Sequence, residues 1–412
     1  MLSQKILKFP KINYWLISSL FISSIICVPI LVISTSFFGE FSSYYNLLKD
    51  TYLYLYIFNT LALLIGVLFL TFIFGVGSAC LVSFYNFPGS NFFTWALILS
   101  FAVPGYIYAY SITAFFEYFG NLYSLLKYAF GDGNYNEYIP RIDSLSGSII
   151  SISFSLYVYV YLITRACFIY QSQSQIDAGK NMGFSNFQIF KRILLPSARP
   201  GIVAGLSLVA MECVSDFGTV AFFNVQSLTT AIYDSWIIFD DINTAYQLSF
   251  FLIFFILIFF TLEKKSRGRS RFNIPSRGYS TIDKIVLKGK IKWLAFTLLF
   301  ILFFLSFVFP VSQMLFWILK FPTNFNLAQI INLTINTLQL VFFTTLILIS
   351  LSFVTNYGMR ITESKTLTVI TNFSVSGYAI PGIILAVTLL SFISFISNYF
   401  DNDNLKLIFI TI

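Results

Sequence analysis

The chain has 412 residues, 57% of them hydrophobic and only 10% charged, with a mean hydropathy of +0.81. That balance excludes a soluble domain of this length and predicts an all-α, polytopic helical membrane protein. With a net charge of +8 and no histidine, the chain needs no nucleic-acid partner to explain its basicity, and imidazole metal sites and His-based catalysis are excluded.

The N-terminal stretch MLSQKILKFPKINYW is short and basic. The apolar run from Tyr14 to Ser34 is long enough to cross a bilayer and carries no small-residue cleavage signal, so a retained first helix is expected. Further spans are expected at Phe58–Phe84, Phe92–Phe116, Ser148–Phe168, Gly201–Phe223 and Tyr246–Leu262. A polar, basic linker, Glu263–Lys292, separates these from spans at Trp293–Leu319, Ile331–Tyr357 and Leu367–Ile396. The stretch from Leu405 to Ile412 reads as the start of a tenth span after nine full ones. Cys27, Cys80, Cys167 and Cys213 are widely spaced in apolar stretches and read as packing residues.

Charge sets the expected orientation. With the N-terminus in the cytoplasm, the inner segments hold 20 of the 25 Lys and Arg, ten of them between Lys264 and Lys292. The outer segments hold 11 of the 17 acids, including Asp234, Asp240 and Asp241.

The chain also repeats itself. Asn59-Thr60-Leu61 recurs as Asn336-Thr337-Leu338, and the Pro104-Gly105 motif recurs as Pro381-Gly382, both at an offset of 277 residues. Two motifs sharing one offset predict two copies of a six-span unit. The expected divisions are 1–50 for the first helix and outer loop, 51–262 for the first unit, 263–292 for the cytoplasmic linker and 293–412 for an incomplete second unit. Two complete copies would need about 540 residues by the same offset, so a truncated second copy is expected.

Between two apolar blocks lies Gln175–Pro196, QIDAGKNMGFSNFQIFKRILLP. It reads as two short amphipathic helices, broken at Gly183, with Ser185 as N-cap of the second and Pro196 and Pro200 ending it. Asp177, Ala178, Gly179, Gly183, Ile193, Leu195 and Pro196 stand at spacings that resemble the signature of binding-protein-dependent ABC importer permeases. Asp177 replaces the family's Glu and Gly179 its second Ala, which should weaken the first helix. The resemblance implies a coupling helix that docks on a separate cytoplasmic ABC ATPase subunit. Read without it, the loop is an interfacial amphipathic segment facing lipid headgroups.

Three further groups are candidates. Pro-Gly inside a span, at Pro104-Gly105 and Pro381-Gly382, should break the helix and free carbonyls; paired interruptions of this kind point to a substrate route, and the plainer reading is a packing kink. Glu212 and Asp216, at i, i+4, are the acids placed well inside a span, suited to a passing cation or to an interhelix hydrogen-bond network. Asp234, Asp240 and Asp241 lie on an outer loop that reads as a solvated charged segment or a contact for a partner.

The stretches Met211–Val220 and Ser227–Trp236 extend the resemblance to the ferric-iron branch, in which two six-span halves are fused. That branch implies an inner-membrane permease fed by a periplasmic binding protein. Related permeases carry thiamine, polyamines or oxyanions, so those cargoes stay open, as does a gradient-driven transporter or channel. No Gly-x4-Gly-Lys-Ser/Thr loop occurs, no cofactor is implied, and ATP hydrolysis falls to a partner.

Overall fold

The computed structural model describes residues 13–375 apart from 37, 118–119, 132, 136, 140–141, 143, 170–172, 268–283 and 321–325; beyond 375 it describes 382, 384–386, 388 and 389. In chain order the helices begin with α1 (Tyr14–Ser36), α2 (Ser43–Thr51) and α3 (Leu53–Phe84). After the two-residue strand β1 (Tyr85–Asn86) come α4 (Ser90–Ala96), α5 (Gly105–Phe116), α6 (Asn121–Phe130) and α7 (Ser144–Ile169). Then follow α8 (Gln173–Asn181), α9 (Asn186–Ile189), α10 (Leu195–Ser215), α11 (Gly218–Phe222), α12 (Leu228–Tyr233) and α13 (Ile242–Arg267). A second short strand, β2 (Ile285–Val286), precedes α14 (Gly289–Phe303), α15 (Phe309–Lys320), α16 (Leu327–Thr362) and α17 (Lys365–Val375).

The all-α membrane architecture expected from composition is what the chain adopts. Five helical stretches among the described residues are long and apolar enough to cross a bilayer: Leu53–Phe84, Ser144–Ile169, Asn186–Ser215, Gly289–Lys320 and Leu327–Thr362. The pair broken at Pro104 adds a sixth, and Tyr14–Val28 and Ile242–Ile258 are shorter apolar helices. Most of the expected ninth span beyond α17, and all of the stretch from Leu405, lie outside the described residues.

Two expectations about helix ends need correction. Pro196 and Pro200 do not end a helix, because the chain runs helically from Asn186 through to Ser215. Proline cannot donate to the carbonyl four residues back. Here a π-helical turn over Phe190–Leu194, closed by Leu195 N donating to Phe190 O, shifts the ladder just ahead of Pro196. The same device, a π turn over Phe304–Val308, precedes Pro310. The span expected to reach Phe223 instead stops at Ser215, where Asp216 turns to extended backbone.

Packing divides the chain into two units, one holding α1, α16 and α17 and the other α2 through α15. In the larger unit α7 is the hub, packed against α3, α10 and α5. Added Cβ atoms on Gly75 of α3 and Gly205 of α10 would fall 2.6 Å from Val160 Cβ and 2.9 Å from Val160 Cα, so both helices approach α7 at contact distance. Close approach through small residues is how helices associate where lipid removes the hydrophobic driving force between them. In this unit α14 lies on α4, with Phe296 against Phe93 at 5.5 Å and Phe303 against Phe92 at 5.6 Å.

The smaller unit is held by a polar stripe at i, i+4, i+8 on α1. Ser19 Oγ donates to Val354 O at 3.1 Å, Ser23 Oγ meets Thr371 Oγ1 at 3.2 Å, and Cys27 Sγ lies 3.3 Å from Ser374 Oγ. Shifted by the repeat offset, α1 corresponds to α14, and α16 and α17 correspond to α3 and α4. Thus α1 packs on the helices that the offset matches to α3 and α4, while α14 packs on α3 and α4 themselves.

Candidate functional site

Two places carry chemistry, an elbow at the end of α7 and a pair of helix breaks inside the bundle. The elbow is α8 and α9. Its first helix ends in a Schellman cap: Gly183 sits at φ +77°, its N–H donates to Lys180 O at 2.9 Å, and Phe184 N–H donates to Gly179 O at 3.1 Å. Ser185 then opens α9 with a capping box, accepting from Gln188 N while Gln188 Oε1 accepts from Ser185 N. This is the local pattern the sequence predicted at Gly183 and Ser185.

Gly179 has a role the sequence did not reveal. An added Cβ there would lie 2.8 Å from Ile193 Cδ1 and 3.0 Å from Ile189 Cγ1, so glycine lets α8 lie against the second half of the elbow without a shift of Ile193 and Ile189. Ile176, Gly179, Ile189 and Leu194 form its buried face, and Ile193 and Leu195 are half-buried. The outer face carries Asp177, Ala178, Gly183 and Pro196, all exposed. Asp177 and Lys180 pair at 3.7 Å, half in solvent, which contributes little. Met182 and Phe187 are 60% and 71% exposed, an apolar pair on an otherwise polar tip. Ile285 of β2 reaches a cavity under the elbow alongside Ile176, Ile189 and Leu194, because β2 pairs in parallel with β1.

The second place is where α5 begins. A 3₁₀ segment over Leu97–Ala102 runs into Pro104, and α5 starts at Gly105. The carbonyls along this irregular stretch are met by hydroxyls of α7. Ser155 Oγ, Tyr157 OH and Tyr161 OH donate to Val103, Leu97 and Thr94 carbonyls, each at 3.0 Å. Sequence reasoning passed over these three residues; a Tyr-x3-Tyr pair on one face of an apolar helix was the available signal. Ser100 Oγ also lies 3.0 Å from Tyr157 OH and 2.7 Å from Ser306 Oγ, which ties in the helix after the linker.

Against Gly105 lies the second break. Asp216 accepts from Thr219 N at 2.7 Å and from Thr219 Oγ1 at 2.8 Å, so its carboxylate caps α11. Glu212 is one turn earlier on α10 and accepts from Tyr159 OH at 3.4 Å. The expectation that Glu212 and Asp216 share a helix face is corrected: α10 ends at Ser215, and Asp216 is past its end. Pro381 lies outside the described residues; Gly382 is helical and exposed, and a Cβ added there would meet none of the described residues within 4 Å.

The outer acids divide by environment. Asp241 caps α13, accepting from Thr244 N at 3.0 Å and Thr244 Oγ1 at 2.8 Å. Burial pushes its carboxyl up, but hydrogen bonds from Ser42, Thr244 and Asn243 outweigh that and hold it below its ordinary value. Burial raises Asp234. Asp240 is exposed, with φ +52°.

Residues 71–271, which hold both the elbow and the helix breaks, match the profile of the binding-protein-dependent transport system inner membrane component family. Residues 71–271 of this multi-pass membrane protein thus carry the domain found in ABC transporter permeases. It is 23% identical over 263 residues to the Fe(3+)-transport system permease protein FbpB 2 of Haemophilus influenzae, covering 63% of this chain and 47% of that one. It is 22% identical over 155 residues to the sulfate transport system permease protein CysT of Escherichia coli, covering 36% and 51%. The chain thus matches about half the length of each of these relatives.

Proposed function

We propose that this chain is the membrane subunit of an ATP-driven importer, with the elbow as its docking point for a cytoplasmic ABC ATPase. The observation that carries this reading is the elbow itself. It is rigidly capped at Gly183 and Ser185, close-packed through Gly179, and presents Met182 and Phe187 outward. A segment that only floats at the lipid surface needs neither the glycine contact nor the cap. Docking puts the elbow, the linker and the N-terminus on the cytoplasmic side, in line with the lysine and arginine bias. ATP-driven movement of α8 and α9 would pass through α7 and α10 to the breaks at Gly105 and Asp216, which switch access.

Ferric iron, delivered by a periplasmic binding protein, is the cargo this reading favours. Glu212 and Asp216 place carboxylates beside the break, which attract a cation and repel an anion. The similarity to a sulfate permease supports an oxyanion as the second reading. Thiamine and polyamines, as cations, belong with the first. Asp234, Asp240 and Asp241 face the side from which a binding protein would approach.

The test has two arms. Phe187→Cys should crosslink to the ATPase subunit in membranes, and its failure to do so, or labelling of that cysteine from outside, would remove the docking reading. Uptake of labelled ferric iron, thiamine, spermidine and sulfate, with and without ATP depletion, separates the cargoes and rejects the importer if uptake follows an ion gradient alone.

A further inference from the structure

We infer that the groove between α3 and α14 is a binding site for one anionic phospholipid of the inner leaflet. The groove is a cavity of about 540 Å³ within the larger unit. Gly77, Leu81 and Tyr85 form one wall, and Ile291, Leu294 and Leu298 form the other. The spacings 77-81 on α3 and 291-294-298 on α14 are each that of a helix face, with Tyr85 just past the end of α3, so the groove runs along both helices. Ile291 to Leu298 spans about 10 Å at 1.5 Å per residue, within the roughly 15 Å hydrocarbon depth of one leaflet.

No side chain of the described residues fills it. Ile291, Leu294 and Leu298 are 62%, 60% and 53% exposed, and a Cβ added to Gly77 would meet nothing within 4 Å. An apolar slot of this length at membrane depth takes an acyl chain.

The headgroup is chosen by charge. The lining residue Leu287 stands just before α14, and Lys284, Lys288 and Lys290, its neighbours in sequence, are all exposed. Lys292 Nζ sits 5.7 Å from the Trp293 ring, an aromatic–cation pair of the kind that marks the membrane–water interface. Arg165 Nε is buried with no hydrogen-bond partner among the described residues. Burial, and then the Arg165 guanidinium, lower the ammonium of Lys284. Cations gathered at one end of an apolar slot are complementary to a phosphate headgroup with its chain in the slot. The assignment to the inner leaflet rests on the cytoplasmic placement of the elbow, since Phe190 of the elbow borders the same groove.

The test is lipid retention. The full chain is purified in mild detergent, exposed to phosphatidylglycerol or to phosphatidylcholine of matched chains, and its bound lipid is measured by mass spectrometry. The wild type should retain phosphatidylglycerol in preference to phosphatidylcholine. Gly77→Phe, which fills the groove without a clash at Cβ, should lose bound lipid of both kinds. Lys284→Gln with Lys288→Gln should weaken phosphatidylglycerol retention about fivefold per charge removed, and leave phosphatidylcholine unchanged. Equal retention by wild type and Gly77→Phe overturns the site, as does equal preference for the two headgroups. So does a dimer that Gly77→Phe splits, which would give the groove to a second copy. This readout needs no ATPase, so its failure is distinct from a failure of Phe187→Cys to crosslink.

Discussion

Gly105 is pressed against the Asp216 carboxylate: a Cβ on Gly105 would stand 3.3 Å from Asp216 Oδ2 and 2.7 Å from Thr219 Oγ1. Two interruptions 111 residues apart in sequence, one made by Pro104-Gly105 and one by the end of α10, are thus a single packed junction. Gly105→Ala should force that junction apart and destabilise the protein by about 1–3 kcal/mol, the range for overpacking a tight site. Thermal unfolding in detergent reads the loss, and unchanged stability would mean the junction yields freely.

Asp216 can be separated into cap and charge. Asp216→Asn keeps an oxygen for Thr219 N and should leave stability near wild type while removing cation uptake. Asp216→Ala loses the cap as well, at about 1 kcal/mol. Full uptake by Asp216→Asn would reduce the carboxylate to a structural role.

The elbow predicts a difference between substitutions at Gly183. Among the described residues nothing lies within 4 Å of an added Cβ there, so the φ of +77° is what is at stake. Gly183→Asn, which tolerates the left-handed region, should keep ATPase binding. Gly183→Val should strain the turn by about 1–2 kcal/mol and reduce binding, with membrane insertion intact. Co-purification of the ATPase subunit measures both.

Tyr157 joins α7 to the irregular stretch before Pro104 and to Ser306. Tyr157→Phe should cost about 1–2 kcal/mol by leaving the Leu97 carbonyl without its donor. The melting temperature checks this, and a Tyr161→Phe variant should behave alike.

Asp241 gives a pH dependence. Its folded pKa is held below the ordinary 3.8, so its contribution to stability is full above 3.8 and is lost as pH falls through the lower folded value. The stability gap between wild type and Asp241→Asn should therefore be constant from neutral pH down to about pH 5 and close in stronger acid. Melting curves across that range measure it; a gap that widens in acid would contradict the cap.

Much of this was open to reading from the residues alone. The spans followed from apolar runs, because a bilayer admits only helices whose backbone groups are satisfied internally. Gly183 and Ser185 announced their turn and cap, since both act within a few residues of themselves. The Pro104-Gly105 break was legible for the same reason. Its hydroxyl partners on α7 were not, because Ser155, Tyr157 and Tyr161 are ordinary helix residues until the other segment is placed beside them. The assumed end of a helix at Pro196 failed because a π turn before a proline leaves no mark in the sequence.

The repeat of 277 residues shows the same division. By itself the sequence showed two motifs recurring at one offset, with an apolar stretch ahead of each. It could not determine that α1 lies with α16 and α17 while α14 lies with α3 and α4. Stretches that share motifs at one offset offer similar apolar patterns, so a first helix fits either partner by pattern alone. Only the tertiary structure, in which Ser23 finds Thr371 and Ser306 finds Ser100, decides which surface each helix covers.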